Sequence, residues 1–409
     1  MRDPNDQRDI AALLVPDVGQ LVETGEKWEP YRLVDGAGVV VEPAAAFFAD
    51  LQAADRSVST IGSYGHDLLR WWRFLAAIGV AWDKAVQVDA RDFARWMQIA
   101  DKPSRGRRRS TPGRVNPVTG KPAPGRKFAP STRAHAETVL RAFYDFHLEV
   151  GCGPIINPFP LNRSRRANRA NANHNFLDPF RNERQGRYRP KVPKRIPRRI
   201  PDEQFNNLFA GLTHHRDRAL LAFWVSTAAR AEELLTARQG HVDPGQQLVA
   251  VVRKGSRAVQ QLPVSPDAFV WLRLYQEELW RKGAPRSRSE PLWFTLRRPW
   301  RELAYPAARA MFARAQILLG SNWTLHDLRH TAAYRMAQDP AMPLTDIQWI
   351  LGHAHLSTTQ IYTTPTQEDV VASALAHYRR QAERRTVSGP PPSTGYNPDS
   401  LQVLFGGRS

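Results

Sequence analysis

The chain has 409 residues, enough for two or three domains, and a formal net charge of +19. Its one cysteine, Cys152, excludes an intramolecular disulfide and a thiolate zinc cage, and fits a reducing, cytoplasmic compartment. The apolar runs are short and broken by charge, and the start MRDPNDQRD is too polar for a signal peptide, so neither a membrane span nor a secretory leader is expected.

Residues 1–42 form a weakly patterned extension. Within it YRLV and VVVE flank Asp35-Gly36 and Gly38, which reads as a small hairpin. From Pro43 to about Phe159 the apolar spacing is helical. Ala44–Leu51 makes a first helix, and Thr60–Ile78 a second with Ile61, Tyr64, Leu68, Trp71, Trp72 and Leu75 at core spacing. Asp89–Met97 makes a third, with Asp89 as its cap, and Ser131–Val150 a fourth, with Val139, Leu140, Phe143, Tyr144 and Phe146 inward. The expected boundaries are a helical domain over 43–160 and an extended linker over 161–200.

Two segments hold the charge. Asp101–Phe128 carries 9 Lys/Arg against 1 acid, and Arg163–Ile200 carries 13 against 2. Their balances of +8 and +11 equal the net charge of the whole chain, so the remainder is formally neutral. A basic run is ordinarily a solvated segment. Two runs with no compensation elsewhere point instead to a polyanion. The candidate phosphate contacts are Arg105, Arg107, Arg108 and Arg109 in the first, and Lys191, Lys194, Arg195, Arg198 and Arg199 in the second.

Pro201 with Asp202 and Glu203 opens a further helical domain, expected over 201–385. Asp217–Val225 reads as a buried helix that runs into Arg230 and Glu233, an i,i+3 pair. Over His241–Val264 the period switches to two, giving a hairpin with Lys254 at its turn. Thr324 with Asp327 marks a helix start that sets His326 and Arg329 on one face. Another start is expected at Thr345 and a stop at Gly352. Ser357 and Gln360 then read as a capping box that places Tyr362 in the first turns of a short helix ended by Pro365. A tail over 386–409 contains SGPPPSTGYNPDS and the apolar Leu401, Val403, Leu404 and Phe405. It is either a frayed end or a segment that docks on a neighbouring copy.

Taken singly, each of these His, Arg, Lys and Tyr residues would more often be structural or solvated. Their order is far more specific: Arg230, Lys254, His326-x-x-Arg329, Leu351-Gly352-His353, and Tyr362 nine residues after that His. This series resembles the tyrosine recombinases, the phage integrase family. Ala228 and Ala229 depart from the Gly and Leu that usually precede the first Arg there. The resemblance covers about 205–380 well and 43–160 loosely, the four helices resembling the family's core-binding domain.

The resemblance implies a mostly α fold with a small β-sheet in the catalytic domain. It implies a two-domain, C-shaped DNA clamp of a helical core-binding (SAM-like) domain and a catalytic domain. It implies a DNA strand-cleaving and strand-transferring enzyme for integration, excision, transposition or resolution. Tyr362 would be the nucleophile of a 3′-phosphotyrosyl intermediate, and Arg230 and Arg329 would clamp the charge that builds on the phosphate oxygens. His326 and His353 would add donors, Lys254 would protonate the departing 5′-oxygen, and Glu233 would support Arg230. The covalent link conserves the phosphodiester energy, so no nucleotide, other cofactor or metal is expected. The implied partners are double-stranded DNA and further copies of the chain, a tetramer in the synaptic complex, with room for accessory DNA-bending or directionality factors. That function implies association with the nucleoid. A type IB topoisomerase, which shares this chemistry, and a DNA-binding protein of the same fold without catalysis are the alternatives.

Overall fold

The computed structural model describes residues 8–103, 113–162, 185–192, 197–363 and 367–387. The chain divides into two compact units, Met1–Lys194 and Arg195–Ser409. Arg105, Arg107, Arg108, Arg109, Lys194, Arg195 and the tail from 388 lie outside the described residues.

The first unit opens with strands β1 (Gln20–Glu23) and β2 (Tyr31–Val34), paired antiparallel with Gln20 opposite Val34. The tight turn at Asp35 is present, its carboxylate accepting from the N–H groups of Ala37 and Val39. The expected YRLV–VVVE hairpin is nevertheless reduced to one bridge, Val34 to Val40. Val41 already caps the next helix, so the downstream arm has no length left to pair, and YRLV takes the upstream strand instead.

Four helices follow: α1 (Glu42–Ala53), α2 (Val58–Ala77), α3 (Gln87–Ile99) and α4 (Pro130–Glu149). Asp89 is not the cap of α3. It sits at the third helical position, two residues inside the start, and its Oδ2 accepts the Val86 N–H at 2.9 Å. An acid there satisfies an orphan donor and suits the positive end of the helix dipole. The core is aromatic, with Phe47, Trp71, Phe74, Phe93, Phe143, Tyr144 and Phe159 buried. The Trp71 indole N–H donates to the Tyr144 hydroxyl, which donates to the Trp82 carbonyl, both at 2.9 Å, so these buried polar groups are satisfied. The β1–β2 pair lies on α2 because two helical glycines let it approach. A Cβ at Gly62 would sit 2.7 Å from the Tyr31 ring, and one at Gly65 would sit 2.6 Å from Leu21.

The second unit contains helices α5 (Asp202–Ala210), α6 (His215–Thr227) and α7 (Ala231–Leu235). A three-stranded antiparallel sheet follows, in the order β3 (Val242–Asp243), β4 (Leu248–Val252), β5 (Val259–Pro263). Then come α8 (Pro266–Arg281), α9 (Tyr305–Ala315), α10 (Leu325–Gln338), α11 (Leu344–Leu351), α12 (Leu356–Thr359) and α13 (Gln367–Val387). Helix α6 is buried nearly all round and packs chiefly on α8 and α10. Phe223 meets Trp293 edge-on, Trp293 stacks on Tyr275, and the Trp293 N–H donates to the Leu234 carbonyl at 2.9 Å. That core fixes the ends of α6, α7 and α10, from which the next residues project. Among the described residues no helix is long and apolar enough to cross a membrane.

Candidate active site

Helix α6 ends at Ala228, whose φ of 51° lies in the left-handed region usually taken by glycine. Thr227 supports the turn: its hydroxyl donates to the Phe223 carbonyl at 2.6 Å and accepts the Ala229 N–H at 3.2 Å. The reversal brings Arg230 to the start of α7, half-buried. Glu233, one turn on, accepts from the Arg230 backbone N–H at 3.0 Å and from Arg230 Nη1 at 2.8 Å.

Glu233 also anchors the β4–β5 turn. Its carboxylate accepts the Lys254 backbone N–H at 3.0 Å and Arg253 Nη1 at 2.9 Å. Burial works to raise the Glu233 carboxyl, but the N–H bonds from Lys254 and Arg230 and the Arg253 charge outweigh it and bring it to about 2. Arg253 is buried and also donates to Gln260 Oε1 at 2.6 Å and to the Ile350 carbonyl. It therefore joins the hairpin to the C-terminal end of α11. The Lys254 amine does not point into this cluster. It is exposed and pairs with Glu232 at 3.3 Å.

Thr324 caps α10, with Asp327 Oδ2 accepting both its N–H and its hydroxyl at 2.7 Å. Further along the same helix, Arg329 is buried. Its Nη1 donates to the Ala228 carbonyl and its Nη2 to the Leu351 carbonyl, both at 2.6 Å, and Nη2 also meets His353 Nε2 at 3.1 Å. Burial, then the Arg230 charge, lowers the Arg329 guanidinium to about 10, so it stays cationic at neutral pH.

Helix α11 starts after Pro343 rather than at Thr345. The proline's fixed φ suits a helix start, and the Thr345 hydroxyl turns outward to Asp346. Gly352 ends it at φ 60°. His353 follows, with Nδ1 3.0 Å from the Thr359 hydroxyl. A guanidinium only donates, so Nε2 accepts from Arg329 and the imidazole proton sits on Nδ1, facing Thr359. In this arrangement His353 orients Arg329 and offers no N–H to an anion. Burial and the Arg329 charge push its imidazole down to about 4, so it is neutral at pH 7.

Ser357 does not cap the next helix. His355 is the N-cap residue of α12, its carbonyl taking the Thr358 N–H, and the helix tightens into a 3-10 turn over Gln360–Tyr362. Tyr362 thus closes a turn rather than opening a helix, which rolls its ring inward to 4% exposure. Its ring centroid is 6.4 Å from that of His353, nearly parallel. Its hydroxyl is 2.8 Å from His330 Nδ1. Burial raises the Tyr362 phenol, and the Arg329 and Arg230 charges pull it back. His326 is exposed, and its ring meets that of His330 edge-on at 4.3 Å.

The structure thus brings Arg230, Glu233, Arg329, His353 and Tyr362 together, places His326 at the rim, and ties Lys254 in by its backbone alone. Arg253, His330 and Thr359 do not stand out in the sequence alone. Strand alternation marks Arg253, which shares the inward face of Val249 and Val251. His330 lies one turn after His326. Of the second basic segment, Lys191, Arg198 and Arg199 are exposed, and Arg199 lies over the Tyr334 ring at 4.1 Å. Among the described residues no group of three His, Cys, Asp or Glu could hold a metal ion.

Two arginines and a histidine thus lie close to a buried tyrosine hydroxyl. Residues 198–369 match the model of the phage integrase family, which supports the resemblance of this domain to the tyrosine recombinases. It is 31% identical over 181 residues to the tyrosine recombinase XerC of Chlamydia caviae, covering 42% of this chain and 56% of that protein. It is 31% identical over 182 residues to XerD of Neisseria meningitidis serogroup A, covering 42% of this chain and 60% of that protein. With XerC of Escherichia coli O139:H28 the match is 29% over 266 residues, 58% of this chain and 87% of that protein. The chain thus spans 56 to 60% of the length of the first two relatives. The fold is shared with the Tn1549 transposon integrase in complex with circular intermediate DNA (TM-score 0.54, 13% identity, 81% of this chain and 98% of that one). It is also shared with the XerH site-specific recombinase bound to palindromic difH substrate (TM-score 0.53, 14% identity, 81% and 84%).

Proposed function

We propose that this chain cleaves and rejoins duplex DNA at a specific site through a covalent 3′-phosphotyrosyl link at Tyr362. One observation carries the reading: the Tyr362 hydroxyl is buried beside two arginines, Arg230 and Arg329, in a family-matched domain. The phosphate would bind against these guanidinium groups, which stabilise the charge that builds on its non-bridging oxygens. Three of the five Arg329 N–H groups go to the Ala228 and Leu351 carbonyls and to His353, which fixes its plane, and among the described residues Nε–H and one Nη1–H are left to meet an anion. Arg230 is aligned by Glu233 from a half-buried position. Lys254 would leave Glu232 and protonate the departing 5′-oxygen, and His326 would contribute a donor from the rim.

The excess charge in the segments around Arg105 and Lys191 supports duplex DNA as the partner. Helix α13 leaves Val371, Leu375 and Tyr378 exposed at i, i+4 and i+7, a stripe that favours assembly with further copies on DNA. The proposed domains are a helical DNA-binding domain over 43–160, a basic linker over 161–200 and a catalytic domain over 201–385.

The test is a nicked duplex that releases a short strand on cleavage and so traps the adduct. Wild type should migrate with DNA on a denaturing gel. Tyr362→Phe should bind the same duplex and give no adduct, because only the attacking oxygen is lost. Arg230→Lys and Arg329→Lys should each lose about a hundred- to a thousand-fold in cleavage rate, since a point charge does not replace a planar fork. An adduct formed by the Phe variant, or near-normal rates with either Lys, would refute these roles.

A further inference from the structure

We propose that His330 is the general base that takes the proton from Tyr362 as it attacks phosphorus, an assignment that rests on the strand-cleavage reading above. A buried phenol beside a scissile phosphate ionises poorly unaided, so its proton needs an acceptor within hydrogen-bond reach. His330 Nδ1 stands 2.8 Å from the Tyr362 hydroxyl, inside that reach. The other histidine against Tyr362 cannot serve. His353 Nε2 accepts from Arg329 and its Nδ1 carries the proton that faces Thr359, so neither nitrogen has a lone pair for the phenol.

Helix geometry fixes the base. His330 directly follows Arg329 on α10, so the residue that orients phosphate charge and the one that receives the phenol proton move as one rigid piece. The step balances. The Tyr362 oxygen forms a bond to phosphorus while the bond from phosphorus to the 5′-oxygen breaks. The phenol proton passes to His330 Nδ1, and the departing 5′-oxygen takes a proton from Lys254. On resealing, the 5′-hydroxyl attacks, Lys254 recovers its proton, and the His330 imidazolium returns the other to the leaving phenolate. Among the described residues, the charged and titratable groups around the pair include His326, edge-on to His330 at 4.3 Å, the Arg329 and Arg230 charges that bear on Tyr362, and His353 with its ring 6.4 Å from that of Tyr362.

The experiment uses the full chain and a site recovered by denaturing pull-down of wild-type adducts from randomised duplex DNA. That site is rebuilt with a 5′-bridging sulfur at the scissile phosphate. Sulfur leaves without a proton, so this duplex reports attack by tyrosine and bypasses Lys254. His330→Ala and His330→Asn should both form adduct on it roughly a hundred-fold more slowly than wild type. Lys254→Ala should be restored to near the wild-type rate. Both His330 variants should gain more in rate from added hydroxide than wild type does, because hydroxide then replaces the missing base. Duplex binding by each variant verifies its fold. Wild-type rates in either His330 variant would overturn the assignment. Restoration by Asn alone would also overturn it, because an amide keeps the hydrogen bond and cannot take the proton. No adduct from wild type on any duplex would instead bring down the strand-cleavage reading itself.

Discussion

Glu233 gathers four donors on two oxygens: the backbone N–H groups of Arg230 and Lys254 and the guanidinium groups of Arg230 and Arg253. Its folded carboxyl titrates near 2, against an ordinary value of 4.5. The group is held charged by the fold, so its contribution is fully present above the unfolded value and is lost as pH falls from about 4.5 through 2. The shift corresponds to something on the order of 3 kcal/mol at neutral pH. Glu233→Gln should therefore lower the urea-unfolding stability at pH 7 by about that much, partly by leaving Arg253 buried without its counter-charge. The gap from wild type should close as the pH is taken down to about 2. A constant gap across that range would mean that packing, not charge, accounts for the loss. Cleavage should fall as well, because the same carboxylate aligns Arg230 and seats the Lys254 turn.

Two left-handed residues shape the elements that carry the site, and they differ in what surrounds them. Ala228 turns α6 into Arg230 at φ 51° and offers its carbonyl to Arg329. A left-handed alanine costs roughly 1–2 kcal/mol. Glycine would relieve that, but it loses a buried methyl worth about 0.8 kcal/mol and adds about 0.4–1 kcal/mol of unfolded-chain freedom. The terms nearly cancel, so Ala228→Gly should shift stability by less than about 1 kcal/mol. At Gly352 the balance goes the other way. Its φ is 60°, and an added Cβ would sit 3.1 Å from Nε of Arg253, which is held by Glu233, Gln260 and the Ile350 carbonyl and cannot give. Gly352→Ala should cost on the order of 2 kcal/mol or more. It should also slow cleavage, since the displaced turn carries His353. Equal unfolding midpoints for the two variants would refute the difference. These elements also show what was legible in the sequence. The four helices of the first unit, α6 and the β4–β5 hairpin follow from apolar period, and Gly352 is a visible stop, whereas α8 and α9 are absent from that reading. The starts of α3, α11 and α12 fall two or three residues earlier than cap residues suggest, because Asp89, Thr345 and Ser357 serve inside the first turn or face water. Arg230, Arg329, His353 and Tyr362 stand out by order and spacing. The bonds among them do not, because Arg329 reaches Ala228 across 101 positions and Leu351 across 22.

At the scale of the whole chain, each unit has its own core, one aromatic around Trp71 and one built on α6. Most of that charge lies where apolar period is lacking, so sequence could locate it but could not say what it touches. Within the second basic segment the described residues divide. Lys191 and Arg198 are exposed, whereas Arg199 stacks on Tyr334, an interaction worth about 0.5–1 kcal/mol at such a site. Replacing Lys191, Lys194, Arg195, Arg198 and Arg199 with Gln should weaken binding to every duplex sequence alike, because phosphate contacts carry no base information. It should also flatten the fall of log affinity with log salt, by about 0.9 for each phosphate that is no longer neutralised. Arg199→Gln alone separates the two roles of that residue: removing a charge that pairs with phosphate lowers the slope, while removing the Tyr334 stack lowers the unfolding midpoint and leaves the slope alone. Affinity measured from about 50 to 300 mM salt on a recovered site and on an unrelated duplex decides the matter. If the five-fold variant keeps the wild-type slope, the segment does not touch the backbone. The phosphates must then be met from elsewhere, first from the Asp101–Phe128 segment with its balance of +8.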